Sequence, residues 1–297
     1  MRHARTLRRS AAELAAPLPP LLADAERLAV SVLLGEHGRR RPGVGDEFWQ
    51  YRPASDSDEA RQIDWRRSAK SDVHFVRQKE WQAAQSVLIW PDMAASMGFS
   101  SNRSVPQKGA RARLLALAVA ILLVRGGERV GLADSDTPPA AGETQLLRMA
   151  EALSRNRSGE AETADADYGA PQLVGLRPNV RALFLSDFLG DIAPVEAALT
   201  KAADRGVKGA LLQVLDPAEE AFPYEGRTIF ESMTGRISHE TLKAGDLRSR
   251  YLDRLAARKD RLEALARTTG WLYQCHHTDQ SAEAALLWLY HALERRY

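Results

Sequence analysis

The chain has 297 residues, 44% hydrophobic and 27% charged, and its formal net charge is +2. That length suffices for one large domain or two ordinary ones of ~100–200 residues each, and so even a charge balance excludes a global field suited to nucleic acid or an anionic membrane. A single cysteine, Cys275, excludes an intramolecular disulfide and a zinc site built on cysteines, and fits a reducing, cytoplasmic setting.

The N-terminal Arg2, Arg5, Arg8 and Arg9 are not followed by a continuous apolar run, so no export signal is expected. The longest apolar run, Leu114–Val124, is eleven residues, short of the ~20 that span a membrane. Pro19–Pro20 opens a helix in which Leu21, Ala25, Leu28 and Val32 repeat on one face, closed by Gly35 and Gly38. Arg39–Arg41 lies in a segment, 36–80, with ten Lys/Arg against nine Asp/Glu, which reads as ion-paired surface more than as a phosphate cradle. Glu47–Pro53 and Arg61–Lys70 are dense in aromatic and charged residues, and alternation at Val73 and Phe75 predicts a short half-buried strand. The Arg and Trp residues of this block, with Arg61, Asp64, Trp65 and Arg66 foremost, either pair within the fold or form a partner-binding surface.

Val87–Trp90 is a run of four apolar residues, the pattern of a strand covered on both faces, and Pro91 ends it. Lys108–Arg125 follows as a helix that is apolar all round from Leu114 to Val124, stopped by Gly126–Gly127. Strands are expected at Arg129–Ala133, Val180–Ser186, Gly209–Leu215 and Trp271–His276. Helices are expected around Leu146–Leu153, Pro194–Arg205, Leu247–Leu265 and Ser281–Arg295. Ser154–Asn179 shows no periodicity and reads as a mobile surface loop, and Arg227–Glu231 with Arg236–His239 reads as a small hairpin. Strands alternating with helices predict an α/β fold: a doubly wound, mostly parallel sheet flanked by helices, with an N-terminal helix and a small β extension. The expected division is 1–80 and 81–297.

Three predicted strands end in an acid: Asp92, Asp187 and Asp216. In open α/β sheets ligands bind beyond the carboxyl ends of the strands, and carboxylates with hydroxyls suit a hard cation such as Mg²⁺ or Mn²⁺. Asp216–Pro217 also reads as a turn opener. A phosphotransferase of the haloacid-dehalogenase type needs an acid where Ala94 stands. A hydrolase elbow needs glycine at position 94, before Ser96. His276–His277 reads as a satisfied or exposed pair in preference to a metal site.

Asp92–Met93–Ala94–Ala95–Ser96, with Thr144 and Ser186–Asp187, resembles the metal-ion-dependent adhesion site of von Willebrand factor A domains. The resemblance implies metal ligands at Asp92, Ser96, Thr144 and Asp187, with Ala94 in place of one ligand serine. Upstream, Gly43-x-Gly45-x-Glu47-Phe48, Arg61-x-Ile63-Asp64-Trp65-Arg66 with Ala69–Lys70, and Val76–Arg77 with Glu80 resemble the family catalogued as domain of unknown function 58. That resemblance implies a von Willebrand factor A-like domain of a family with no established catalytic activity. It implies an adaptor or assembly role beside a MoxR-type AAA+ ATPase or another von Willebrand A protein. The rival expectation is a metal-dependent phosphoester hydrolase using the same strand-end acids.

Overall fold

The structure, a computed structural model, describes residues 20–36, 48–54, 63–69, 73–79, 85–155, 166–173, 180–236 and 238–294. The chain divides into two units: 37–84, and a larger one made of 1–36 with 85–297. The N-terminal helix α1 (Pro20–Glu36) therefore belongs with the large sheet, where the expected division at residue 80 had separated them.

The larger unit is built on a five-stranded parallel sheet. Its strands are β3 (Ser86–Pro91), β4 (Arg129–Leu132), β5 (Val180–Ser186), β6 (Lys208–Leu215) and β9 (Leu272–His277), in spatial order β4-β3-β5-β6-β9. The winding direction reverses between β3 and β5, which makes their carboxyl ends the topological switch point. Side chains alternate across the sheet. Val87, Ile89, Leu183, Leu185, Leu212 and Val214 enter one core with α1, α3 (Lys108–Arg125), α4 (Glu143–Arg155) and α8 (Ala282–Glu294). Leu88, Trp90, Ala182, Phe184 and Leu211 enter the other, with α5 (Ala193–Ala203) and α7 (Arg248–Thr269). Helix α3 packs against the sheet and also against α1, α4 and α8. From Leu114 to Val124 it is covered on nearly every side, which is why that stretch is apolar all round.

A short helix, α6 (Pro217–Ala221), follows β6, and the hairpin β7 (Thr228–Glu231) and β8 (Ser238–Thr241) precedes α7. Asp216, expected as a turn opener, is the N-cap of α6. Its side chain accepts from Ala218 N, while the Glu219 side chain returns to Asp216 N, a reciprocal capping box.

In the smaller unit β1 (Phe48–Pro53) and β2 (Phe75–Lys79) pair antiparallel, and a single helical turn, α2 (Trp65–Ser68), lies between them in sequence. Ser68 Oγ accepts from Phe75 N at 2.9 Å and donates to Asp64 O at 2.8 Å, tying that turn to β2.

Candidate functional site

Asp92 and Asp187 stand at adjacent strand ends because β3 and β5 are parallel neighbours: Pro91 pairs with Leu185, and Asp92 N donates to Leu185 O at 2.8 Å. Both residues are 1% exposed. Asp92 Oδ2 accepts from Ser186 Oγ at 2.6 Å and Oδ1 from Ala94 N at 2.9 Å. Burial, the dominant cause, pushes its carboxyl up to about 6, with the charge of Asp187 adding and the two hydrogen bonds opposing.

The residue that organises this edge is Lys108, the first residue of α3. Its Nζ lies 2.8 Å from Asp187 Oδ2 and 2.7 Å from Glu219 Oε1, and its side chain is 1% exposed. The ammonium also sits 5.6 Å from the Phe99 ring centroid. Burial alone would depress its pKa, but the two carboxylates and their hydrogen bonds more than reverse this, so the lysine stays charged. Asp187 Oδ1 accepts from Leu189 N, and its carbonyl accepts from Gln213 Nε2. Sequence reasoning missed Lys108 and Glu219. One signal was available, shared with Arg111 and Arg113: a cation at the very start of a helix, the end where the helix dipole disfavours positive charge.

The site is roofed by Ala166–Leu173, part of the segment expected to be a mobile loop. Ala95 N donates to Ala166 O and Ser96 N to Asp167 O, while Asp167 Oδ1 accepts from Thr234 N and Oγ1. Gly169 lies so close that a Cβ there would stand 2.1 Å from Asp92 Oδ1. Only glycine leaves room for that carboxylate. The rest of the expected loop, 156–165 and 174–179, lies outside the described residues.

Thr144 is not brought to the acids. An antiparallel bridge, Val130 to Ala140, turns the chain back after β4, and Gln145 Nε2 donates to Val130 O. Val130 pairs with Val87 near the start of β3. Thr144 is thus exposed at the amino-terminal edge, while Asp92 lies five residues further along, about 16 Å at the rise of a strand. Ser96 is near, buried, and its Oγ has no hydrogen-bond partner.

The donor set does not fit a divalent cation. Asp187 is engaged by an ammonium, Asp92 is hydrogen-bonded and covered, Ala94 offers no oxygen in its side chain, and Thr144 is at the far edge. Lys108 supplies the positive charge that the strand-end acids require.

Beside Glu219 a cavity of about 500 Å³ opens, walled by Phe99, Phe222, Tyr224, Phe230 and Tyr251. Phe222 packs 4.9 Å from Tyr251 and 5.7 Å from Phe230, centroid to centroid. Arg250 and Arg254, one helical turn apart on α7, and His239 stand exposed at its rim.

In the smaller unit Trp65 is 57% exposed, its ring edge-on to His74 at 5.4 Å, and Arg66 beside it is exposed. Asp64 N donates to Phe75 O. Arg61, the fourth expected partner residue, lies outside the described residues, as do Arg39–Arg41 and Gly43–Glu47.

A family model described as "Protein of unknown function DUF58" matches residues 50–261. Uncharacterized proteins of Mycobacterium tuberculosis and Mycobacterium bovis are each 27% identical over 241 residues, covering 77% of this chain and 73% of theirs. No solved structure matches the chain. No helix among the described residues is long and apolar enough to cross a membrane.

Proposed function

The chain belongs to the DUF58 family, and on that premise we propose that it is a non-enzymatic, cytoplasmic protein-interaction module of the von Willebrand factor A-like kind. Its metal-ion-dependent adhesion site is degenerate, with an internal lysine where the cation would be. Its partner in this reading is a MoxR-type AAA+ ATPase, for which it serves as adaptor or assembly factor. The strand order, with two acids at the switch point, supports the von Willebrand factor A-like reading. The observation that carries the proposal is the Lys108–Asp187–Glu219 cluster. It engages Asp187, one of the two strand-end carboxylates that a metal-dependent phosphoester hydrolase would need, and its Glu219 also lines an aromatic cavity.

The cavity fits a bulky aromatic side chain, and its arginine rim fits acidic residues flanking that side chain. Trp65 and Arg66 supply a second contact in this proposal. The test is affinity capture of the full chain from its native cell, wild type against Phe230→Asp and Arg254→Glu. The expected result is an AAA+ ATPase that co-purifies with wild type and is lost with both variants. Failure of any such ATPase to co-purify would refute the adaptor role, and turnover of a phosphoester that disappears in Asp92→Asn would establish the rival.

A further inference from the structure

A second cluster gathers around Glu220, the residue that follows the lysine's partner Glu219 on α6. Cys275 and His277 are two residues apart on β9, so their side chains share a face of the sheet. The β6–β9 register pairs Leu215 with His277, which brings that face beside Glu220 of α6, the helix that follows β6. His277 Nε2 contacts Glu220 Oε2. One carboxylate oxygen of Glu220, Cys275 Sγ and a ring nitrogen of His277 all lie within 4.8 Å of one another. All three residues are half-buried. The other oxygen, Glu220 Oε1, accepts from Lys259 Nζ of α7. From the sequence His276–His277 reads as a satisfied or exposed pair, with no Cys or acid cluster recognised at ligand spacing; that reading passes over Cys275, two residues before His277, and lacks an acid. The fold supplies that acid from 55 residues upstream of Cys275.

We propose that Glu220, Cys275 and His277 bind Zn²⁺, with water in the fourth position. A tetrahedral zinc bound to oxygen, nitrogen and sulfur sets its ligand atoms about 3.2–3.8 Å apart, so the Glu220 oxygen and His277 nitrogen, now in direct contact, must part by roughly an ångström to admit an ion beside the Cys275 sulfur. The ligand set is selective: thiolate and imidazole favour zinc over the hard cations that carboxylates alone attract. The charges also balance. Zn²⁺ with one thiolate and one carboxylate is neutral, so Lys259 faces no net positive ion and keeps its hydrogen bond to Oε1 as an outer-shell partner. This site is separate from the strand-end acids and does not rest on the proposed partner.

The full chain titrated with Co²⁺ tests it. Cys275 is the single cysteine of the sequence, so a thiolate-to-cobalt charge-transfer band in the near ultraviolet reports this site alone. The expected result is a band that saturates at one equivalent, is abolished by Zn²⁺ and is absent in Cys275→Ser. His277→Ala and Glu220→Gln should weaken binding by more than the roughly 10–100-fold typical of losing an outer-shell partner. No band in wild type at saturating Co²⁺, or a band that Zn²⁺ does not displace, would overturn the proposal. Both measurements are made on the wild type, so neither depends on a variant folding.

Discussion

Lys108 Nζ lies 2.8 Å from Asp187 Oδ2, although 79 residues separate them in the chain and each side chain is 1% exposed. With Glu219 as its second partner, this ammonium joins the start of α3, the end of β5 and the first turn of α6. A lysine in the first turn of a helix works against the dipole, so the ion pairs account for its presence there.

Removing that charge leaves two buried carboxylates uncompensated. Lys108→Met should lower stability by about 3–5 kcal/mol, the usual cost of breaking a buried pair from one side, read as a fall in the urea midpoint. The triple variant Lys108→Met, Asp187→Asn, Glu219→Gln should lose less than the single one. A loss under about 1 kcal/mol for Lys108→Met would show the pairs to behave like exposed ones.

Asp92 gives a pH dependence of unusual sign. Its carboxyl is raised from 3.8 to about 6 in the native state, so between those values the native protein holds more protons than the unfolded chain. The stability that its protonated form contributes is fully present below about pH 4 and is lost as pH rises through 6. Two pKa units correspond to a ceiling of about 3 kcal/mol. Asp92→Asn, which retains the acceptor for Ala94 N, should therefore raise stability at pH 7.5 by about 1–3 kcal/mol and by almost nothing at pH 4. Chemical denaturation at the two pH values measures the difference, and an equal effect at both would remove the burial argument.

Gly169 is the tightest contact of the roof. In Gly169→Ala the new methyl group would meet Asp92 Oδ1 at 2.1 Å, so the segment 166–173 must shift at about 1–3 kcal/mol, the range for overpacking. Hydrogen exchange should accelerate at the amides of Ala95 and Ser96, which donate to Ala166 O and Asp167 O. The amide of Leu183, in the middle of the sheet, serves as the unaffected control.

With Lys108 paired to Asp187, Mg²⁺ has no ready place at the switch point. Calorimetric titration with Mg²⁺ or Mn²⁺ should give the same negligible heats for wild type and for Asp92→Asn. A saturable heat lost in the variant would restore the cation to this site.

Residue patterns alone placed most of the architecture. Four-residue apolar runs beginning at Val87 and at Ala182, and helical stripes closed by glycine at Gly206 and Gly270, are local signals. A strand buried on both faces and a helix stopped by a left-handed residue look the same in any fold. The parallel sheet followed from their alternation, and so did the meeting of Asp92 with Asp187, because adjacent parallel strands deliver their ends to one edge.

The site's composition was decided by tertiary structure. Whether Thr144 stands with the acids depends on one antiparallel bridge after β4, and no spacing announces it. Whether the carboxylates meet a metal or an ammonium depends on where the first turn of α3 lands. Whether Cys275 and His277 gain a carboxylate depends on the strand order that sets β9 beside β6. Short-range periodicity encodes which face of an element is buried. Which distant charges share that burial is set only when the elements pack, because desolvation makes the pairing compulsory without naming the partner in advance.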